Sequence, residues 1–128
     1  MNIELEEKFV KNFINTSYCE RLLFELKSFR KRTNAIDRFS HNTEGLVKKE
    51  YVYLKLKNFD ENELKKFLNE QNFYVISFKY LDGIIMDNIE VFDYIYNEYS
   101  PVIVCGNNIA VIKKEYEKGD DNYYLLKK

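Results

Sequence analysis

Between Arg30 and Asn42 the chain reads RKRTNAIDRFSHN, which gathers Arg30, Lys31, Arg32, Arg38 and the only histidine of the sequence, His41. On a helix, Arg30, Asn34, Arg38 and His41 recur at steps of four, four and three and share one face. Guanidinium groups so arranged hold phosphate, and an imidazole near its ordinary pKa is a general base, so segment 30–41 offers RNA binding or RNA cleavage. Cleavage needs a second acid or base besides a cation at the transition state. Arg38 can be the cation, but without a second histidine the other group must be Glu20 or Glu25, and the set is incomplete. A structural reading competes with it. Asp37 and His41 pair at i,i+4, Glu20 and Glu25 from the preceding helix neutralise the arginines, and His41 closes its helix near the negative pole. The sequence favours this second reading, a polar network of Glu20, Arg38 and His41, with no catalytic residues.

A second cluster is acidic. From Leu81 to Ile112 the chain holds Asp82, Asp87, Glu90, Asp93 and Glu98 and no Lys or Arg. A helix is expected over 87–99, opened by an Asp87–Glu90 capping box. Val91, Phe92, Ile95, Tyr96 and Tyr99 fall on one face of it, and Glu90, Asp93, Tyr94, Asn97 and Glu98 on the opposite one. Such a face is either solvated or a docking surface for a basic protein. Carboxylates steer a basic partner into contact and tyrosine adds contact area at low entropic cost. The residues expected to meet a partner are Asp82, Asp87, Glu90, Asp93, Tyr94, Asn97 and Glu98. No tight D-x-D or EF-hand spacing makes a metal site of them, and no cofactor is expected.

Other chemistry is thinly represented. The sequence lacks G-x-S-x-G, P-loop, G-x-G-x-x-G, H-E-x-x-H and C-x-x-C patterns, and the chain is expected not to be an enzyme. Cys19 and Cys105 sit in apolar surroundings without metal-ligand spacing and read as reduced packing residues. Nucleic acid is an unfavoured partner, because the basic run is short and the net charge is −1.

The elements that must carry these residues change character along the chain. Phe9, Val10, Phe13 and Ile14 have helical spacing behind an acidic first turn. Ser17 with Glu20 reads as a capping box for a second helix with Leu22, Leu23 and Leu26 inward. Ser28 is expected to cap a third helix to about Ser40, with Phe29, Ala35, Ile36 and Phe39 inward. Beyond Val47 the period becomes two: YVYLKLK alternates Val52, Leu54 and Leu56 against Tyr51, Tyr53 and Lys55. Asp60 with Glu63 opens a short helix burying Leu64, Phe67 and Leu68. FYVISFKY (73–80) is a more buried strand, Asp82-Gly83 a turn, and GIIM a short strand. PVIVC and IAVIKKEY form a hairpin about Gly106-Asn107-Asn108, where positive φ is expected, and EKGDDN turns into a last strand, YYLLK. The fold expected is α+β: about three N-terminal helices, then a mostly antiparallel sheet of about five strands with two further helices.

At 128 residues, 45% hydrophobic, with one Pro and four Gly, the chain suits a single domain over 1–128 with its own core. Residues 1–58 carry twelve Lys/Arg against eight Asp/Glu, and residues 59–128 eight against thirteen, so the two parts differ in sign. That asymmetry bears on partners and association rates. The first residues, MNIELEEKFV, are too charged for a signal peptide, and no run approaches the ~18–20 apolar residues of a membrane span. A cytoplasmic protein with no membrane partner is expected.

Two stretches, ERLLFELKSFRKRTNAIDRFSHN (20–42) and SPVIVCGNNIAVIKKEYEKGDDNYYLLKK (100–128), resemble parts of small bacterial immunity proteins of polymorphic or contact-dependent growth-inhibition toxin systems. The resemblance implies a cytoplasmic, non-enzymatic protein that binds and blocks a cognate toxin domain, often a nuclease with a basic active-site cleft. It assigns the basic segment no catalytic role.

Overall fold

The computed structural model describes residues 2–78 and 81–128. Helices α1 (Ile3–Phe13), α2 (Thr16–Lys27), α3 (Arg32–His41) and the single turn α4 (Thr43–Leu46) come first. They are followed by strand β1 (Val52–Leu56), helix α5 (Glu61–Phe67), strands β2 (Asn72–Ser77) and β3 (Ile85–Asp87), helix α6 (Asn88–Asn97), and strands β4 (Val102–Cys105), β5 (Ile109–Lys113) and β6 (Tyr123–Lys127). The class is α+β, as the change of period at Val47 predicts. The sheet has six strands rather than about five, in the order β1-β6-β5-β4-β2-β3, and each neighbouring pair is antiparallel.

The central strands are apolar on both faces because both faces are covered. Tyr74, Ile76, Ile103, Cys105, Ala110, Ile112, Tyr124 and Leu126 pack on the N-terminal helices through Phe9, Phe13, Leu22, Leu26, Ile36 and Phe39. The alternate residues Phe73, Val75, Val102, Val104, Val111, Tyr123 and Leu125 pack on α5 and α6 through Leu64, Phe67, Val91 and Ile95. β1 and the short β3 keep an alternating burial pattern, and they are the two edge strands of the sheet.

Several local expectations change. No Ser17–Glu20 box forms. The N-cap of α2 is Asn15, whose side-chain amide instead donates to the carbonyls of Gly45 (3.1 Å) and Val47 (3.2 Å), tying the α1–α2 corner to α4. Ser28 caps a turn rather than α3, which starts at Arg32: its hydroxyl accepts from the Lys31 N–H (3.3 Å), and its carbonyl accepts from both Lys31 and Arg32 (3.1 and 2.9 Å). That turn leaves Phe29 93% exposed instead of inward and takes Arg30 off the helix, so Arg30 does not share a helical face with Arg38. α6 ends at Asn97 rather than at residue 99. The capping box at its start is complete, with Glu90 N–H donating to Asp87 (2.8 Å) and Asp87 N–H to Glu90 (3.3 Å). Asp60 caps α5 through the Glu63 N–H (3.0 Å), while the Glu63 carboxylate lies toward Lys66 (3.8 Å).

Positive φ occurs at Gly83 and Gly119 among the described residues, not in the 106–108 turn. Gly106 serves a different need there. The Glu70 carboxylate accepts from the Asn107 N–H (2.6 Å), and a Cβ on Gly106 would stand 2.8 Å from that same oxygen. The strand expected over 73–80 ends at Ser77, and its last two positions, Lys79 and Tyr80, lie outside the described residues.

Candidate functional sites

The basic stretch divides into three environments. Arg32 is interior. It makes two-point pairs with Glu6 (2.7 and 2.6 Å) and with Asp82 (2.6 and 2.9 Å) and also donates to the Leu26 carbonyl (2.9 Å). Tyr74 adds its hydroxyl to Glu6 (2.6 Å), and the Asp82 carboxylate accepts from the Ser77 N–H (3.1 Å). Glu6 is 2% exposed, so this cluster binds α1, α3, β2 and the β2–β3 turn through buried, paired charge. Desolvation opposes ionisation of Arg32, and the hydrogen bonds to Glu6 and Asp82 outweigh it, so the guanidinium is held more firmly protonated than in water. Asp82 is therefore an internal partner of Arg32 rather than part of a docking face. The sequence signal that marked it was charge, without the distant cation it serves.

Arg38 pairs with Glu25 (2.8 Å), a carboxylate only 6% exposed. Glu20 is exposed and has no ion pair with Arg38. Glu25 replaces it in the expected network because α2 starts from Asn15 and turns Glu25, with Leu22 and Leu26, toward the interior. His41 is exposed and makes no hydrogen bond or ion pair among the described residues, Asp37 included. Arg38 and His41 both line, from α3, a cleft of about 340 Å³ between α2 and α3 that Tyr18, Arg21 and Asp37 also line.

The acidic segment is arranged as follows. Asp87 and Glu90 are exposed and cap α6, Asp93 is exposed, and the exposed Asn97 donates to the Asp93 carbonyl (2.9 Å). Tyr94 is half-buried on the inner side of the helix, not on its solvent face. Its hydroxyl is buried near Ser77 and Glu98, without good hydrogen-bond geometry to Ser77, and burial raises its pKa. Glu98 is half-buried past the helix end and accepts from the Ser100 N–H (3.0 Å). Tyr96 and Tyr99, expected to face inward, are 64% and 90% exposed, because Val91 and Ile95, flanked by the half-buried Phe92 and Tyr94, fill the contact with the sheet. Ile89, 71% exposed, continues the same outer stripe as Asp93 and Tyr96 and borders a groove of about 440 Å³ shared with α5.

Lys113 is a site that sequence reading passes over. It points from β5 into the interior and donates to the carbonyls of Ile95 (2.6 Å) and Glu98, supplying the last turn of α6 with a cation where no basic residue of the helix itself stands. Burial holds its pKa below the usual lysine range.

Among the described residues no group of three or more His, Cys, Asp or Glu is placed to hold a metal ion, and no helix is long and apolar enough to cross a membrane. Cys19 is half-buried and Cys105 buried, both as thiols, and burial pushes the Cys105 thiol well above its usual range. No protein-family model, curated protein or solved structure matches the chain.

Proposed function

We propose that this protein is a non-enzymatic, cytoplasmic binding protein, an immunity protein that neutralises a cognate bacterial toxin by laying α6 over a basic active-site surface. The observation that carries the reading is the outer surface of α6. Ile89, Tyr96 and the following Tyr99 are 71%, 64% and 90% exposed, and the exposed charges of the helix, Glu90 and Asp93, are both negative. Large apolar side chains bordered by carboxylates suit an interface in which central aromatic anchors supply affinity and rim charge supplies orientation and on-rate. A polyanion-like face fits a nuclease, whose substrate groove is basic. The resemblance of residues 20–42 and 100–128 to immunity proteins makes a toxin domain the partner of choice.

The test is growth. The C-terminal ~100–150 residues of the product encoded immediately upstream, a typical domain length, are expressed with and without this protein. Arrest that this protein alone relieves supports the proposal. Arrest that it does not relieve, or no arrest, overturns the pairing.

A further inference from the structure

The cleft between α2 and α3 is built from two helical stripes that face each other. On α2, Tyr18, Arg21, Leu22 and Glu25 recur at steps of three, one and three; on α3, Asp37 and Arg38 are followed one turn later by His41. Buried Leu22 and Leu46 give the cleft an apolar lining, and Tyr18, 40% exposed, gives it an aromatic one. Arg21, Arg38 and His41 all line this one space. Arg21 is exposed and has no partner among the described residues. Arg38 is anchored through Nε and one Nη2 hydrogen by the buried Glu25, which leaves its Nη1 group as a donor. A cation fixed by a buried carboxylate loses little freedom when it meets an anion, which is the condition for useful binding by a surface arginine.

We infer that this cleft is a binding site for a nucleoside monophosphate, with the phosphate held by Arg21, Arg38 and His41, the base against Tyr18 and Leu22, and a ribose hydroxyl donating to Asp37. The volume, about 340 Å³, is at the small end of ligand sites and suits one nucleotide. Base stacking on an exposed tyrosine and phosphate held by arginine are the two general terms of nucleotide recognition. Asp37 has the role that a bare phosphate would leave unexplained, since a carboxylate repels phosphate but accepts from a sugar hydroxyl. The site is one for binding rather than cleavage: Asp37 shares the cleft with His41, and Glu117 feels its charge from outside the cleft lining, but neither carboxylate hydrogen-bonds to the imidazole. Free nucleotide and a single nucleotide of an RNA strand share this chemistry.

The experiment is a titration of the ¹⁵N-labelled full chain with 5′-AMP, adenosine, inorganic phosphate and a hexa-adenylate RNA, followed by amide shifts. Saturable shifts centred on residues 18–22 and 37–46 are expected, with a Kd for AMP of about 1 mM or tighter and at least about tenfold weaker binding of adenosine and of phosphate. Arg21→Gln and Tyr18→Ala change exposed side chains, so they keep the fold, and each is expected to weaken AMP binding at least about tenfold. The hexamer binding more tightly than AMP at the same residues assigns the site to an RNA strand; AMP binding as well or better assigns it to a free nucleotide. No saturation by AMP or RNA, phosphate binding as tightly as AMP, or full affinity in Arg21→Gln overturns the inference.

Discussion

Arg32 and Glu6 meet in the interior through two parallel hydrogen bonds of 2.7 and 2.6 Å, twenty-six positions apart in the chain and on different helices. A bidentate pair of this kind fixes orientation as well as distance, so α3 cannot slide along α1 without breaking both bonds at once. Asp82 and Tyr74 complete the arrangement from the sheet side.

Removing the cation alone should be costly. Arg32→Met leaves Glu6, 2% exposed, as an uncompensated buried carboxylate, and a loss of about 3–5 kcal/mol is expected. Urea unfolding of the purified variant measures it. A loss below about 1 kcal/mol would mean that Glu6 finds another donor.

Glu25 and Glu20 should separate cleanly. Glu25→Gln weakens the hold on Arg38, whose side chain is 39% exposed, so solvent moderates the effect to about 1 kcal/mol. Glu20→Gln should stay within about 0.5 kcal/mol, as for an exposed side chain without partners. Equal losses at the two positions would contradict the geometry.

Lys113→Met strips the end of α6 of its donor and should cost about 1–2 kcal/mol, with faster amide exchange confined to residues 95–98. Its pH dependence carries a sign. The folded pKa is lowered, so between that value and the unfolded value near 10.4 the unfolded chain binds the extra proton and the lysine's contribution rises with pH. The stability gap between the unsubstituted protein and Lys113→Met should therefore widen as the pH rises toward the unfolded value.

Above pH 10 the direction reverses for the whole protein. Burial raises the pKa of Tyr74, Tyr94, Tyr123 and Tyr124, and neighbouring carboxylates raise three of them further, Glu6 at Tyr74, Glu98 at Tyr94 and Glu44 at Tyr124. Groups raised in the folded state stabilise it fully below their unfolded pKa, about 10, and lose that contribution as pH climbs beyond. The urea midpoint should fall steeply between pH 10 and 11.5. A flat profile there would show that these hydroxyls ionise as freely folded as unfolded.

For the docking face, Asp93→Lys with Tyr96→Ala is the informative pair. Glu90 is left in place because its carboxylate accepts from the Asp87 N–H and holds the start of α6. With the toxin identified by growth rescue, surface plasmon resonance should show slower association, a weaker dependence on salt and affinity reduced at least about tenfold. Unchanged kinetics would move the interface elsewhere on the molecule.

Elements were legible where one local signal sufficed. The period of two at Val52–Leu56 and the capping box at Asp87–Glu90 are nearest-neighbour chemistry, and both form as read. What failed depended on partners far along the chain. Ser17 lost the N-cap to Asn15, whose amide reaches Gly45 and Val47, and Asp82 looked like surface charge until Arg32, fifty positions away, turned out to face it. Of the network Glu20, Arg38 and His41, only Arg38 is tied down. The spacing of carboxylates on α2 did not say which one the helix would turn inward, a choice made by Leu22 and Leu26 entering the core. Lys113 left no signal at all, since a lysine ending a strand reads as solvated.

The order of the sheet sets a timetable for folding. β1 borders no strand but β6, so residues 52–56 have no place to pair until residues 123–127 have been synthesised. The hairpin of β4 and β5 and the helices before β1 can assemble from local contacts, whereas closing β1 against β6 spans most of the chain and is entropically late. A nascent chain stopped before residue 123 would keep β1 and one flank of β5 as open edges, the kind of surface that recruits chaperones or other strands. Emergence of residues 123–127, rather than collapse of the core, is then the event that closes these edges.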